Sequence, residues 1–284
     1  MLKSKSCGLK PLVSLALLTV ITFAQSCKKS DLPKQETVSA EEVQQLKTFV
    51  SSSTGLPLAS VEFNSTKNTF VAGKDIVISL ANVRQRLKNT EISSPTTERE
   101  SQRVYTYTVT PTNVANIAIY ADNTVPADWL AALDQAITNW NGTNSHVYMK
   151  RVTATTVTTT SGRGKKKTTT TSTVPPAYNI LVTTLYDNTT SMVAQAYMPN
   201  YDGTVGNEVD INTYYSYLSS SYKTFAITHE LGHSIGFTHT DGTYGNLIPG
   251  TPDTDPNSVM NSIVLPWNGY TPYDIVAVTT IYPK

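Results

Sequence analysis

Apolar residues in this chain fall into short, separated groups, and the spacing inside each group predicts an element. LVSLALLTVITFA (12–24) is one unbroken apolar run behind Lys3, Lys5 and Lys10. It is shorter than the roughly 20 residues a spanning helix needs, and with its basic flank it reads as an export signal. No later run approaches spanning length. KKSDLPKQE (28–36) is polar and reads as a tether. SAEEVQQLKTFVSSSTG (39–55) predicts a helix, with Ser39 as its cap, Glu41 and Glu42 in its first turn, and Gly55 beyond its end. SVEFNS (60–65) and NTFVAG (68–73) are strand-like, DIVISL (75–80) is an apolar run, and polar LKNTEISSPTTERESQ (87–102) reads as a linker.

From residue 112 the periodicity sharpens. NVANIAIYAD (113–122) alternates as a strand. VPADWLAALDQAITNWNG (125–142) follows as a helix, with Trp129, Leu130, Leu133, Ile137 and Trp140 at its apolar positions. Pro126 near its start and Gly142 past its end fit the same helix. SHVYMKRVT (145–153), YNILVTTLYD (178–187), MVAQAYMPN (192–200) and VGNEVDINT (205–213) read as strands, the last two joined at Asp202-Gly203. A strand–helix–strand opening with further strands predicts a mixed sheet. Thr-rich VTATTVTTT (152–160) and KTTTTSTV (167–174) flank SGRGKK (161–166) and predict a protruding hairpin. Its basic tip either touches an anionic surface or is solvated and guards a sheet edge.

These patterns divide the chain into a signal (1–26), a thinly apolar N-terminal region (27–111) and a main domain (112–284). Two readings of the N-terminal region compete, an inhibitory pro-segment or a spacer with modest structure. A formal net charge of +1 over 284 residues gives no support for a nucleic-acid partner. The signal ends in Ala24-Gln25-Ser26-Cys27, which resembles the lipobox of bacterial lipoproteins, with Ala24 where such signals usually place Leu. On that reading Cys27 is acylated and anchors an exported protein to a membrane surface of the bacterial cell envelope. Simple cleavage after Ser26, giving a secreted protein, also fits the small-x-small pattern. Cys7 lies in the removed segment, so the mature chain has no internal disulfide. A monomer is expected.

Candidate chemistry concentrates in HELGHSIGFTH (229–239), which holds three of the chain's four histidines. On a helix, His229 and His233 lie about 40° apart around the axis, one above the other. Ile227, Leu231 and Ile235 fall on the opposite face, so the helix buries its apolar stripe and offers both imidazoles to a cleft. Glu230 sits beside them. Gly236 lets the chain leave the helix through a backbone turn that other residues resist, which brings His239 back toward the same ion. Three imidazoles leave a fourth position for water, the arrangement of a catalytic Zn2+, and Glu230 is placed to act as general base. His146, alone on a predicted strand, is expected to be structural.

HELGHSIGFTH resembles the metzincin metallopeptidases, which carry HExxHxxGxxH and a later Met-turn. DPNSVMNSIV (255–264) offers Met260 for that turn. With IPGTPDTDPNSVMN (248–261) and YTPYDIVAVTTIYP (270–283), the chain looks like the bacterial dual-action HEIGH metallopeptidases over residues 112–284. The resemblance implies an α+β, metzincin-like catalytic domain: a twisted mixed sheet with an active-site helix, and a C-terminal subdomain with the Met-turn and a closing helix. It implies Zn2+ on His229, His233 and His239, Met260 as an apolar floor, and a protein or peptide substrate. That substrate would add as a strand to an antiparallel edge, for which MVAQAYMPN is the candidate. Ser262 stands where some metzincins place a Tyr, and Cys27 belongs to the export signal, so neither a tyrosine ligand nor cysteine latency carries over. Asp241 either orients a ligand or starts a turn. The rival reading is a noncatalytic surface lipoprotein that binds protein or glycan on a metal-stabilised scaffold; a purely structural site has no need of Glu230.

Overall fold

Capping chemistry begins the first element where the sequence places it. In the computed structural model, which describes residues 38–90, 102–242, 245–252 and 254–284, α1 (Ala40–Thr54) starts at Ser39 and ends at Gly55 with φ 68°. The Ser39 hydroxyl accepts from the Glu42 amide at 3.1 Å. The export signal, Cys27 and the tether lie outside the described residues. After α1 come β1 (Val61–Asn64), β2 (Thr69–Ala72) and β3 (Ile76–Ser79). β3 runs directly into α2 (Leu80–Thr90), a helix where the sequence reading placed the start of a linker at residue 87. Leu80, Val83 and Leu87 recur at helical spacing and pack with Leu46, Val50 and Phe70, which outweighs the polar composition around them. The rest of that expected linker, residues 91–101, lies outside the described residues.

The chain continues with β4 (Arg103–Val104), the short α3 (Pro111–Val114), β5 (Ile117–Ala121) and α4 (Ala127–Asn141). Then follow β6 (Met149–Val152), β7 (Thr155–Ser161), β8 (Thr168–Val174), β9 (Ile180–Leu185), β10 (Ala194–Tyr197) and β11 (Glu208–Asn212). The C-terminal part holds α5 (Ser220–Ser234), β12 (Phe237–Thr238), β13 (Asn246–Leu247) and α6 (Pro272–Ile281). This is the α+β class expected, a mixed sheet with helices and a loop-rich end closed by a helix. β7 and β8 form the predicted hairpin. Among the described residues no helix is long and apolar enough to cross a membrane.

The main sheet has eight strands in the order β1-β2-β3-β10-β11-β9-β5-β6. β6, β5, β9 and β11 run parallel to one another, whereas β10 pairs antiparallel with β11. The expected antiparallel strand is therefore present, but it is not an edge. β3 pairs with its other side in parallel, so the N-terminal strands extend the sheet of the catalytic part.

α4 turns Trp129, Leu133 and Trp140 inward, each at most 2% exposed, and burying side chains of this size contributes roughly 1.5–3 kcal/mol apiece. α5 packs against α4, with Trp140 Nε1 donating to the Thr228 carbonyl at 2.9 Å. Two apolar clusters result. One joins α4, α5 and the central strands, and the other joins α1, β1–β3 and α2 with Tyr105 and Met198.

Candidate metal centre

α5 supplies His229, Glu230 and His233 because its other face is apolar. Ile227 and Leu231 are fully buried in the cluster with α4. Gly232 permits a close approach from below, since a β-carbon there would lie 2.5 Å from Met260 Sδ. Met260 is buried and packs against the helix backbone at Gly232. The helix stops at Ile235. Gly236 then takes φ 107°, which L side chains rarely adopt, and β12 carries the chain back to His239.

Three imidazole nitrogens converge. His233 Nε2 and His239 Nε2 are 3.2 Å apart, and His239 Nε2 and His229 Nε2 are 3.3 Å apart. His229 Nδ1 bonds the Val259 carbonyl and His233 Nδ1 the Phe237 carbonyl, each at 2.7 Å. A carbonyl only accepts, so both Nδ1 atoms carry the proton and both Nε2 atoms present lone pairs. Facing lone pairs at this distance repel unless a cation lies among them. Ligand atoms about 2.05 Å from a tetrahedral zinc are spaced about 3.3 Å from each other. The donor set and spacing found here therefore fit that ion.

A fourth donor joins them, and sequence reasoning missed it. Asp75, in the turn before β3, places Oδ2 3.3 Å from His239 Nε2 and 3.7 Å from His229 Nε2. A single Asp after Gly-Lys carries no local signal of such a role. His229, Glu230 and His233 are only 4%, 3% and 0% exposed. The turn that carries Asp75 lies against His229 and His239.

Electrostatics separate the two carboxylates of the site. Burial pushes the Glu230 carboxyl well above the ordinary carboxylate range, and the charges of Asp75 and Asp210 push it further. Burial also opposes ionisation of Asp75, but His239, His229 and His233 outweigh it and hold the carboxyl well below the usual range. Burial keeps the His233 imidazole well below its usual value, with His229 and His239 adding to the effect. Burial works the same way on His239, where the charge of Asp75 prevails and raises it. The Asp75 carboxylate and the His239 imidazole thus each favour the charged form of the other.

Glu230 lines a cavity of about 220 Å³ with His229, Asp75, Met192 and Asn261. A second cavity, of about 310 Å³, is lined by Asp75, His239 and Asp241. Lys74, Asp75 and Ser262 line both. Asp241 lies in a turn and accepts from the Ser262 amide at 3.1 Å and its hydroxyl at 2.6 Å, tying the loop after His239 to the segment after Met260. His146 is exposed and stands outside the donor group, ahead of β6.

A residue inside the expected linker region proves central to the lower part. Gln102 Nε2 lies 3.2 Å from Asp255, Ser258 and Asp274 oxygens. Asp274 also accepts from Ser258 Oγ at 2.6 Å and from the Val259 amide at 3.2 Å, while boxing the α6 start with Thr271. Val259 in turn holds His229, so the closing helix positions a ligand at one remove.

Imidazole lone pairs gathered for a cation beside a buried carboxylate define a metal-dependent hydrolase. The family can be given more closely. The model of the dual-action HEIGH metallo-peptidases matches residues 69–246, more than half of the chain, and the chain belongs to that family. The match begins at β2 and includes both Asp75 and the three histidines. No curated protein matches the chain. Among solved structures, one of myroilysin aligns at TM-score 0.38 and 12% identity, covering 60% of this chain and 81% of that one. A second myroilysin structure aligns at 0.37 and 11%, covering 66% and 94%. High choriolytic enzyme 1, a hatching enzyme zinc-protease of the medaka fish Oryzias latipes, aligns at 0.37 and 13%, covering 62% and 93%. These likenesses are distant, and the assignment rests on the family match and on the site.

Proposed function

We propose that this chain is a zinc-dependent endopeptidase in which His229, His233 and His239 hold the metal and Glu230 is the general base. The reading is carried by one observation: His239 Nε2 lies 3.2 Å from His233 Nε2 and 3.3 Å from His229 Nε2, next to a buried carboxylate. Zinc bound there supplies a Lewis acid for the scissile carbonyl and lowers the pKa of a water to roughly 7. Glu230 would take the proton of the attacking water on a carboxylate oxygen and return it to the leaving amine nitrogen. Its Oε2 is buried with no hydrogen-bond partner, so it stands ready to accept.

The test is Glu230→Gln. It keeps one metal per chain and lowers chelator-sensitive hydrolysis of a labelled, unfolded protein by about 10²–10⁴-fold. Undiminished hydrolysis in that variant removes Glu230 from the role. No hydrolysis by any form of the chain leaves the noncatalytic binding scaffold.

The same reading places the protein outside the cytoplasm, held at a membrane surface by lipid on Cys27. Its support is the short apolar run behind three lysines and the order Ala24-Gln25-Ser26-Cys27. Mass spectrometry of the mature N-terminus is expected to find acyl mass on Cys27. An unmodified end at that cysteine makes the protein secreted instead.

A further inference from the structure

We propose that four tyrosines beside the cavity of Glu230, Tyr186, Tyr214, Tyr215 and Tyr217, form a docking surface for the part of a substrate chain that runs out of the cleft. The surface selects segments that bear proline or aromatic residues and lack acidic ones. The inference rests on the endopeptidase reading and adds a substrate class to it.

The tyrosines are more exposed than packing requires. Residues 212–222, NTYYSYLSSSY, hold four tyrosines and four serines. Tyr186 and Tyr217 are 68% and 72% exposed, and Tyr214 is 39% exposed. A single exposed aromatic ring is ordinary, but these rings gather. Tyr214 is the hub: its ring centroid lies 5.1 Å from that of Tyr215, 6.1 Å from that of Tyr217 and 6.1 Å from that of Tyr186, each pair edge to face. A contiguous exposed aromatic patch marks an interaction site. Tyrosine supplies a large contact area at a small entropy cost, and serine adds adaptable hydrogen bonds, the combination that recognition loops use.

Buried polar groups fix the backbone beneath the rings and join it to the cleft. Lys223 is buried, pairs with Asp128, and donates from Nζ to the Ser216 carbonyl at 2.6 Å. Trp129 Nε1 donates to Ser216 Oγ at 3.3 Å. The buried Asn212 side chain accepts from the Tyr214 and Asp187 amides at 3.2 and 2.9 Å, and donates to the Met192 carbonyl at 2.9 Å. The Tyr215 hydroxyl donates to the Thr190 carbonyl at 2.7 Å. Ser191 and Met192, the next two residues, line the cavity that holds Glu230. One buried amide therefore sets both the tyrosine turn and the cavity wall, and a chain leaving the cavity over residues 190–192 meets the rings. Rings held in place beforehand lose less freedom on binding.

The chemistry of the patch picks its occupant. Tyrosine faces carry negative charge density, and Asp187 directly follows Tyr186. Lys223 is turned inward to Ser216 and Asp128, so it does not answer an acidic side chain. Proline and aromatic rings lie flat on such faces, and a proline-rich segment is extended before it binds, which keeps its ordering cost low.

The experiment uses the full chain and two paired variants, Tyr186→Ala with Tyr217→Ala, and Tyr186→Phe with Tyr217→Phe. The probe is a short fluorescent peptide of proline, phenylalanine and glycine, with a counterpart carrying glutamate in place of each phenylalanine. Binding is read by anisotropy, which needs no catalysis. We expect the alanine pair to bind the probe about tenfold more weakly or worse, the loss of two contact rings. The phenylalanine pair stays within about threefold of the unaltered chain, because the ring faces carry the contact. The glutamate counterpart binds the unaltered chain more weakly than the probe does. Joined to a cleavable core, the probe sequence lowers KM for hydrolysis, and the alanine pair loses that advantage at unchanged kcat, the mark of binding that is uniform through the reaction. Spectra of the Co2+-loaded proteins coincide, which shows the metal centre intact. Equal probe affinity in all three proteins overturns the inference, as does chitohexaose, an uncharged glycan, binding the patch more tightly than the probe. Tyrosine-dependent probe binding with no hydrolysis by any form upholds the docking surface and sinks the peptidase reading instead.

Discussion

Two sets of strands extend beyond the central sheet, and they are attached by opposite means. β1, β2 and β3 carry buried residues on nearly every position that faces the core: Val61, Phe70, Ala72, Ile76 and Ile78. Every residue of β7 and β8 is exposed. The first set is held by an apolar cluster, by Lys67 between two carboxylates, and by pairing with β10. The second is held by its own ladder and by hydroxyl contacts across it, Thr158 to Thr171 at 3.5 Å and Thr160 to Thr169 at 3.4 Å. Apolar side chains make a strand adhere to the body of a protein. Threonine makes it extended without making it adhere, because neither face has enough apolar area to bury. A segment that must sit on a metal centre needs the first kind of attachment, and the hairpin shows how strands behave without it.

The sharpest way to break the contrast is to remove the largest buried side chain of the N-terminal set. Phe70 is fully buried, and its ring centroid lies 4.8 Å from that of Phe63 with the planes tilted by 41°. Phe70→Ala is expected to destabilise the N-terminal segment by about 3–5 kcal/mol, through lost burial and the cavity left behind. The check is amide hydrogen exchange. Amides of β1–β3 exchange much faster in the variant, while those of α4 and β9 keep their protection, because the two apolar clusters are separate. Equal loss of protection in both regions shows instead that the segment and the catalytic part open as one unit, and the distinction between them falls.

Sequence made one half of the site legible and left the other half dark, for physical reasons. The histidines could be read because imidazole is rare and because i and i+4 on a helix share a face, so spacing alone places them together. Gly236 was readable because its positive φ is a local requirement. Asp75 reaches the site from more than 150 residues away, through a strand pairing that no local pattern encodes. Gln102 was assigned to a linker by composition, yet its amide is enclosed by Asp255, Ser258 and Asp274. α2 could have been found from Leu80, Val83 and Leu87, but a strand that runs into a helix without a Gly or Pro between them offers no boundary. The antiparallel direction of β10 was expected and holds; its coverage by β3 was not, since an edge strand differs from a covered one only in what the rest of the chain does.

The smallest effect tests the other side of the contrast. Replacing residues 155–174 by a short Gly-Ser connection removes β7, β8 and the tip between them. Cross-strand threonine pairs contribute roughly 0.2–1 kcal/mol each, but to the hairpin's own ladder, which disappears together with its unfolded counterpart. No residue of either strand is buried, so no apolar contact with the rest of the chain is lost. The flanking strand β6 keeps its pairing with β5, and β9 keeps its pairing with β5 and β11. The expected change in unfolding free energy is therefore about 0.5 kcal/mol or less, the range of surface changes that touch no special feature. Denaturant midpoints of the shortened and full chains are expected to coincide, as are their cobalt spectra. A shift of the midpoint well beyond that range means that the hairpin leans on the body after all, and that exposure of its side chains is the wrong guide to how it is held.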